Sequence, residues 1–313
     1  MELKGKGLFV YSDPGAAKAI LSKALEFGKN SKDYRIISNR VYSFTDSFGL
    51  VVETQIESPA SVFDSYKPDF LFSGTSYTSD FELLFAEEAA KRKIPSYAYI
   101  DHYVLFKQRF QLRNANFFPD WILVIDERAR NLAVSEGLPK DKIQIIGNPY
   151  YQFLEDYKPK INKNQFLNSI GILDVKKALV VFAPEPLSNI DGKLKYGFDE
   201  MDACLEVKNI LDQNNFSCNF IFKPHPNQDM KKLEGRLSDK FIFLDSDFDA
   251  NLLIYHSDIV IGFFSNFLIE ASIMRKKILR FHLSFVKNDP LRQLQIGTIV
   301  DREALVRELS CLT

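Results

Sequence analysis

Two segments in the second half of the chain combine residue types that can handle a phosphate. Phe220-Ile221-Phe222-Lys223-Pro224-His225-Pro226 is an apolar run that stops in a cation, an imidazole and two prolines. The prolines fix φ and end the strand, so Lys223 and His225 are expected on a stiff turn with Pro226. There an imidazole N–H can donate to a phosphate oxygen or stabilise a leaving group as charge develops. Residues 257–271, SDIVIGFFSNFLIEA, read as a buried strand, a small polar turn and a helix. Ser265 or Asn266 is expected at the N-cap, where free backbone N–H groups and the helix dipole attract an anion. Glu270, one turn further, is expected to accept hydrogen bonds from ribose hydroxyls. Glu185, between Pro184 and Pro186 at the end of another apolar run, is either a further contact on the phosphate side or a solvated loop charge.

The first half offers protonatable groups. In Tyr11-Ser12-Asp13-Pro14-Gly15, Asp13 is a candidate base toward a hydroxyl, or a cap ahead of Pro14, and Gly15 lets an acceptor approach the helix start. Asp101 next to His102 can orient and charge the imidazole for general base work. Arg109 and Arg113, four residues apart, would share a helical face and bind an anionic acceptor, or form a solvated basic face. The turn Gly147-Asn148-Pro149 is expected beneath a nucleotide, or as a plain interdomain turn. No metal or cofactor is expected. The acidic run from Asp245 to Asp249 lacks the sixth-position glycine and twelfth-position glutamate of a calcium loop, and His256 and His282 read as structural.

These residues need strand ends to stand on. Short apolar runs at residues 8–11, 34–38, 69–73, 97–100, 121–125 and 143–146 alternate with helical patterns at 16–27, 81–93 and 127–136. A second alternation has strands at 178–183, 219–223, 241–244, 259–262 and 278–281, with helices at 200–212, 250–256 and 267–274. The polar stretch EDYKPKINKN, residues 155–164, separates them. The fold class expected is α/β, with two Rossmann-like, doubly wound parallel-sheet domains (residues 1–154 and 165–313) facing across a cleft lined by strand-end loops.

Composition narrows the partners. With 40 Lys+Arg against 41 Asp+Glu, the net charge of -1 provides no field to gather nucleic acid, so no nucleic-acid partner is expected. Three cysteines match no zinc or disulfide pattern, which fits a reducing cytoplasm. No apolar stretch approaches the roughly 18 residues that span a bilayer, so membrane contact is expected to be peripheral at most, at the inner face. The apolar run near the N-terminus is short and reads as a strand rather than a signal segment.

KPHP followed by SDIVIGFFSNFLIEA resembles the C-terminal half of GT-B glycosyltransferases of bacterial surface-polysaccharide synthesis. The likeness runs over residues 178–282. The nearest likenesses are CDP-glycerol glycerophosphotransferases, capsule Kdo transferases and bacterial sialyl- and polysialyltransferases. The resemblance implies that His225 touches the donor phosphate and that Ser265 holds the nucleotide, although Ser265-Asn266 stands where the family usually has Ser-Ser or Ser-Thr. It implies a metal-independent transferase that moves a sugar, such as a CMP-linked ulosonic acid, from a nucleotide-activated donor to a surface glycan acceptor. Gly147, Asn148, Glu185, Lys223, His225, Pro226, Ser265, Asn266 and Glu270 would be donor-side. Gly15, Arg109 and Arg113 would meet the acceptor, with Asp13 or the Asp101/His102 pair taking its proton. The rival readings are a nucleotide-sugar epimerase or hydrolase similar to UDP-GlcNAc 2-epimerases, a CDP-glycerol-type glycerophosphotransferase, and a non-catalytic nucleotide-sugar or glycan binding subunit.

Overall fold

Runs of apolar residues buried on both faces form the middle strands of parallel sheets, and this chain builds two. The computed structural model describes the chain apart from residues 1, 2, 56, 57, 226, 238, 239, 247, 288, 290 and 313 and the side chains of 232 and 234. It divides into two units, Met1–Phe153 and Leu154–Thr313.

The first unit runs β1 (Gly7–Tyr11), α1 (Pro14–Gly28), β2 (Tyr34–Ser38), α2 (Pro59–Tyr66), β3 (Phe70–Ser73), α3 (Phe81–Lys91) and β4 (Ser96–Tyr99). It continues with a small hairpin, β5 (Gln111–Leu112) and β6 (Ala115–Asn116), then β7 (Trp121–Val124), α4 (Glu127–Ser135), β8 (Ile143–Ile145) and α5 (Pro149–Glu155). The main sheet has the order β2-β1-β3-β4-β7-β8 with every pairing parallel. Strand order reverses direction between β1 and β3, the switch point at which open sheets leave a crevice. Helix α1 reaches the sheet closely because Ala16, Ala17 and Ala24 lie on its buried face beside Ile20 and Leu21. Phe9 packs on Phe27, Phe70 and Phe72 at 5.7–5.9 Å between ring centroids, one cluster of the aromatic core.

The second unit comprises α6 (Lys163–Ser169), β9 (Ala178–Phe182), α7 (Gly192–Tyr196), α8 (Glu200–Gln213), β10 (Cys218–Phe222), α9 (Met230–Leu237), β11 (Ile242–Phe243), α10 (Ala250–His256), β12 (Ile259–Gly262), α11 (Asn266–Ile273), β13 (Lys277–Phe281), β14 (Thr298–Val300) and α12 (Arg302–Ser310). Its sheet order is β11-β10-β9-β12-β13-β14, again all parallel, with the switch point between β9 and β12. Phe182, Phe222, Phe241 and Phe263 form its buried centre. A buried ion pair at 2.7 Å joins Arg280, within β13, to Asp289 in the segment after it. Both units are therefore Rossmann-like, and together they make the expected GT-B fold.

Residues 109–113 do not form the helix that their spacing suggested. Arg109 lies within a 3-10 turn, Lys107–Phe110, and Arg113 and Asn114, with φ of 51° and 65°, make the two-residue turn of the β5–β6 hairpin. The last strand and helix, β14 and α12, carried no expectation. β14 has three residues, two of them exposed, and is too short at the sheet edge to show a period. Among the described residues no helix is long and apolar enough to cross a membrane.

Candidate functional site

In the second unit the carboxyl ends of β10, β9 and β12 bring most of the expected residues to one edge. After β10, Lys223 is buried, and its Nζ donates to the carbonyls of Pro224 (3.3 Å), Asp245 (3.5 Å) and Ser246. These bonds commit its ammonium to joining the loops after β10 and β11, a different task from the phosphate contact expected. His225 is better placed. Its Nδ1 accepts the N–H of Asn227 at 3.2 Å, which leaves the proton of the neutral ring on Nε2 as an outward donor. Burial and the neighbouring Lys223 both lower its pKa, so the ring is neutral at pH 7. Pro226 lies outside the described residues.

Glu185 follows β9 at the switch point and is no solvated loop charge. Its carboxylate accepts the backbone N–H of Phe263 at 3.2 Å and that of Phe264, in the turn from β12 into α11. Despite these donors, burial pushes its pKa up to about 7. Ser265 is the N-cap of α11, as expected, but its side chain makes no capping bond. Its Oγ is buried and faces the Glu185 carboxyl, whose pKa it helps to hold down. Asn266 is the first residue of α11 and is exposed, whereas Glu270 is buried along the same helix. Asp249 caps α10 through the N–H groups of Asn251 and Leu252, so the acidic run ends in a helix cap.

In the first unit the ends of β1, β3 and β4 hold three carboxyl groups. Asp13, the N-cap of α1, makes no capping bond and instead takes the Thr78 hydroxyl at 3.4 Å and faces Arg40 at 3.6 Å. Asp101 lies 3.6 Å from Arg109 and 3.8 Å from the exposed ring of His102. Burial raises its pKa, and the facing His102 and Arg109 oppose that rise. A Cβ built on Gly15 would stand 2.0 Å from Asp101 Oδ2, so the close approach that Gly15 permits is taken by this carboxylate.

Arg109 is 2% exposed, donates to the Thr75 carbonyl at 3.0 Å and lies over the Tyr77 ring. It therefore supports Asp101 from inside the fold, and the surface role expected of it is corrected by its burial. Arg113 is exposed and pairs with Glu87 at 2.8 Å on the hairpin, away from Asp101. Gly147 has φ of +76°, which favours glycine, with open space beside it, and its carbonyl accepts the Tyr99 hydroxyl at 3.2 Å. Asn148 Oδ1 accepts the N–H of Tyr150 at the start of α5.

The third carboxyl, Glu82, was not anticipated. It sits on the buried face of α3 with Phe85, Ala86 and Ala89, and burial pushes its pKa up to about 8. The signal was present in the spacing. An acid occupied a position of the apolar stripe at i, i+3, i+4 and i+7.

No family model and no curated protein matches this chain. Solved structures do match over nearly all of it. A UDP-GlcNAc 2-epimerase from Methanocaldococcus jannaschii is 16% identical with a TM-score of 0.61, over 98% of this chain and 92% of that one. The Neisseria meningitidis UDP-GlcNAc 2-epimerase bound to UDP-GlcNAc is 16% identical with a TM-score of 0.59, over 97% and 90%. Anabaena HepE in complex with UDP-glucose is 14% identical with a TM-score of 0.58, over 97% and 89%. What the likeness establishes is the fold, two Rossmann-like units of the GT-B type, which this chain shares with these structures. Most of these structural neighbours are UDP-GlcNAc 2-epimerases, and CDP-glycerol or Kdo transferases, which the His-Pro and serine motifs resemble, are not among them. The expectation of a glycosyltransferase is corrected accordingly. The two motifs therefore do not specify the reaction.

Proposed function

We propose that this protein is a nucleotide-sugar enzyme of the UDP-GlcNAc 2-epimerase type. The reading is carried by its likeness, over 97–98% of the chain, to epimerase structures, one of them bound to UDP-GlcNAc. The residues at the strand ends support it. Nucleotide recognition is assigned to the second unit, with the outward Nε2–H of His225 and the uncapped start of α11 at Ser265 as phosphate contacts and Glu270 as the ribose contact. Inverting a carbon that carries hydrogen requires one group to take the proton and another to return a proton to the opposite face. That task is assigned to Asp13, Asp101 and His102 in the first unit.

The test is incubation with UDP-GlcNAc in deuterated water, followed by NMR. Deuterium at C2 of the sugar and formation of the C2-inverted UDP-sugar are expected. His225→Ala should weaken UDP binding about tenfold or more, as the loss of a hydrogen bond to a charged group does. No exchange at C2, no inversion and no release of UDP would overturn the reading.

A further inference from the structure

Glu185 stands on a tightly fixed turn of the second unit. Pro184 and Pro186 set φ on either side of it, and the N–H of Leu187 donates to the Glu185 carbonyl at 2.8 Å. β9 and β12 run side by side into this turn, and a Cβ built on Gly262, the last residue of β12, would stand 3.0 Å from the Ala183 carbonyl. With the strand ends this close, the Glu185 carboxylate reaches the N–H of Phe263 at 3.2 Å and that of Phe264, and it faces the Ser265 hydroxyl.

These donors and the start of α11 are one continuous stretch of backbone. Phe263 and Phe264 give their N–H groups to an anion of the protein itself, and Asn266 and Phe267, the first residues of α11, follow one residue later. A ligand phosphate at the helix start therefore meets a second negative charge on the same turn. The partners of Glu185 among the described residues are backbone N–H groups and a hydroxyl, with no cation to offset that charge. Lys223, after β10, is spent on three carbonyls, and Arg280, in β13, pairs with Asp289 at 2.7 Å. The imidazoles of His225, after β10, and His282, after β13, are held neutral by burial, and α11 itself adds the acid Glu270. Glu185 keeps some exposure, so its carboxyl can take a proton from solvent, and burial has already moved that step up to about 7.

We infer that binding of a phosphate at the start of α11 is coupled to protonation of Glu185, whose ionised carboxylate competes with the ligand for the same turn. One proton passes from solvent to a Glu185 carboxyl oxygen and no other covalent bond changes. The neutral acid still accepts the N–H groups of Phe263 and Phe264, so the turn keeps its shape while losing its charge. Glu185 is a positioning residue that acts through this turn. The inference rests on the phosphate placement proposed above.

The test is calorimetric titration of the whole chain with UDP-GlcNAc, whose diphosphate diester lacks the second phosphate ionisation found near about pH 6 in monoesters. The wild type should bind about tenfold more weakly at about pH 8.5 than at about pH 6.5, and should take up protons at about pH 7.5 when buffers of different ionisation heat are compared. Glu185→Gln, a neutral stand-in for the protonated acid, should bind equally well at both pH values and about tenfold tighter than wild type at about pH 8.5. Damage to the fold alone would weaken binding at every pH. A wild-type affinity that does not change with pH, or a Glu185→Gln variant that keeps the wild-type slope, overturns the coupling. If Glu185→Gln does not fold, His225→Ala decides. Proton uptake that persists without the imidazole supports Glu185, whereas its loss assigns the proton to His225 and overturns the inference. Absence of any binding heat with UDP-GlcNAc and with UDP overturns the phosphate placement and the coupling together. Binding without proton uptake leaves the placement standing and removes the coupling alone.

Discussion

Glu82 and Glu185 hold corresponding posts, one acid at the switch point of each sheet, and the two units treat them in opposite ways. Each is driven toward its neutral form by burial. Glu185 is supplied with the N–H groups of Phe263 and Phe264 and so fastens the turn that starts α11. Among the described residues Glu82 makes no such bond, and the negative charge of Asp13 adds to the rise. A desolvated acid bonded by two backbone donors is a clasp, whereas one without such bonds ties no loop to another. The second unit invests its buried polar groups in fixing the loops at its strand ends, whereas the first leaves several of them without hydrogen-bond partners among the described residues.

The comparison can be broken most forcefully at the buried ion pair of the second unit. Arg280→Met strands the Asp289 carboxylate and should cost about 3–5 kcal/mol in denaturant unfolding. The corresponding Arg109→Met should cost less, because Arg109 meets Asp101 at 3.6 Å rather than 2.7 Å. Equal losses would erase the contrast between the units.

Next in size is the pair of leucine substitutions. Glu185→Leu orphans two backbone donors and should destabilise by about 2–4 kcal/mol, while Glu82→Leu removes an unpartnered polar group and should stay within about 1 kcal/mol of wild type. Gly15→Ala must displace the Asp101 carboxylate. The helix propensity gained offsets part of that strain, leaving a net loss of about 1 kcal/mol and a changed pH profile of turnover.

The smallest effect is one of slope. Glu185 is protonated more readily in the folded chain than in the unfolded one. Its contribution to stability is therefore whole below the ordinary carboxylate range and is lost as pH rises through about 7. Melting temperatures measured from about pH 5 to pH 8 should fall less steeply in Glu185→Gln than in wild type.

Much of this was legible in the residues. Strands such as 34–38 and 259–262 announced themselves as apolar runs, and the helices at 200–213 and 250–256 as periods broken by caps, because burial against a parallel sheet demands those patterns. Proline-flanked strand ends located Glu185 and His225. What could not be read was pairing. Spacing placed Arg109 on a surface because a sequence does not show that Thr75 and Asp101 will surround it. Nor does it show that the Lys223 ammonium will be spent on three backbone carbonyls. Glu82 was visible only as a wrong letter in an apolar stripe. The transferase reading failed for a related reason, since a strand end and a helix start placed by the fold carry no record of the reaction.

One further property comes from β7. Trp121 is the chain's single tryptophan, and it begins a strand of the first unit. Its indole emission therefore reports on one half of the molecule, whereas far-ultraviolet circular dichroism averages the helices of both. Titrating denaturant while recording both signals would show, without labels or fragments, whether the halves melt together or in sequence.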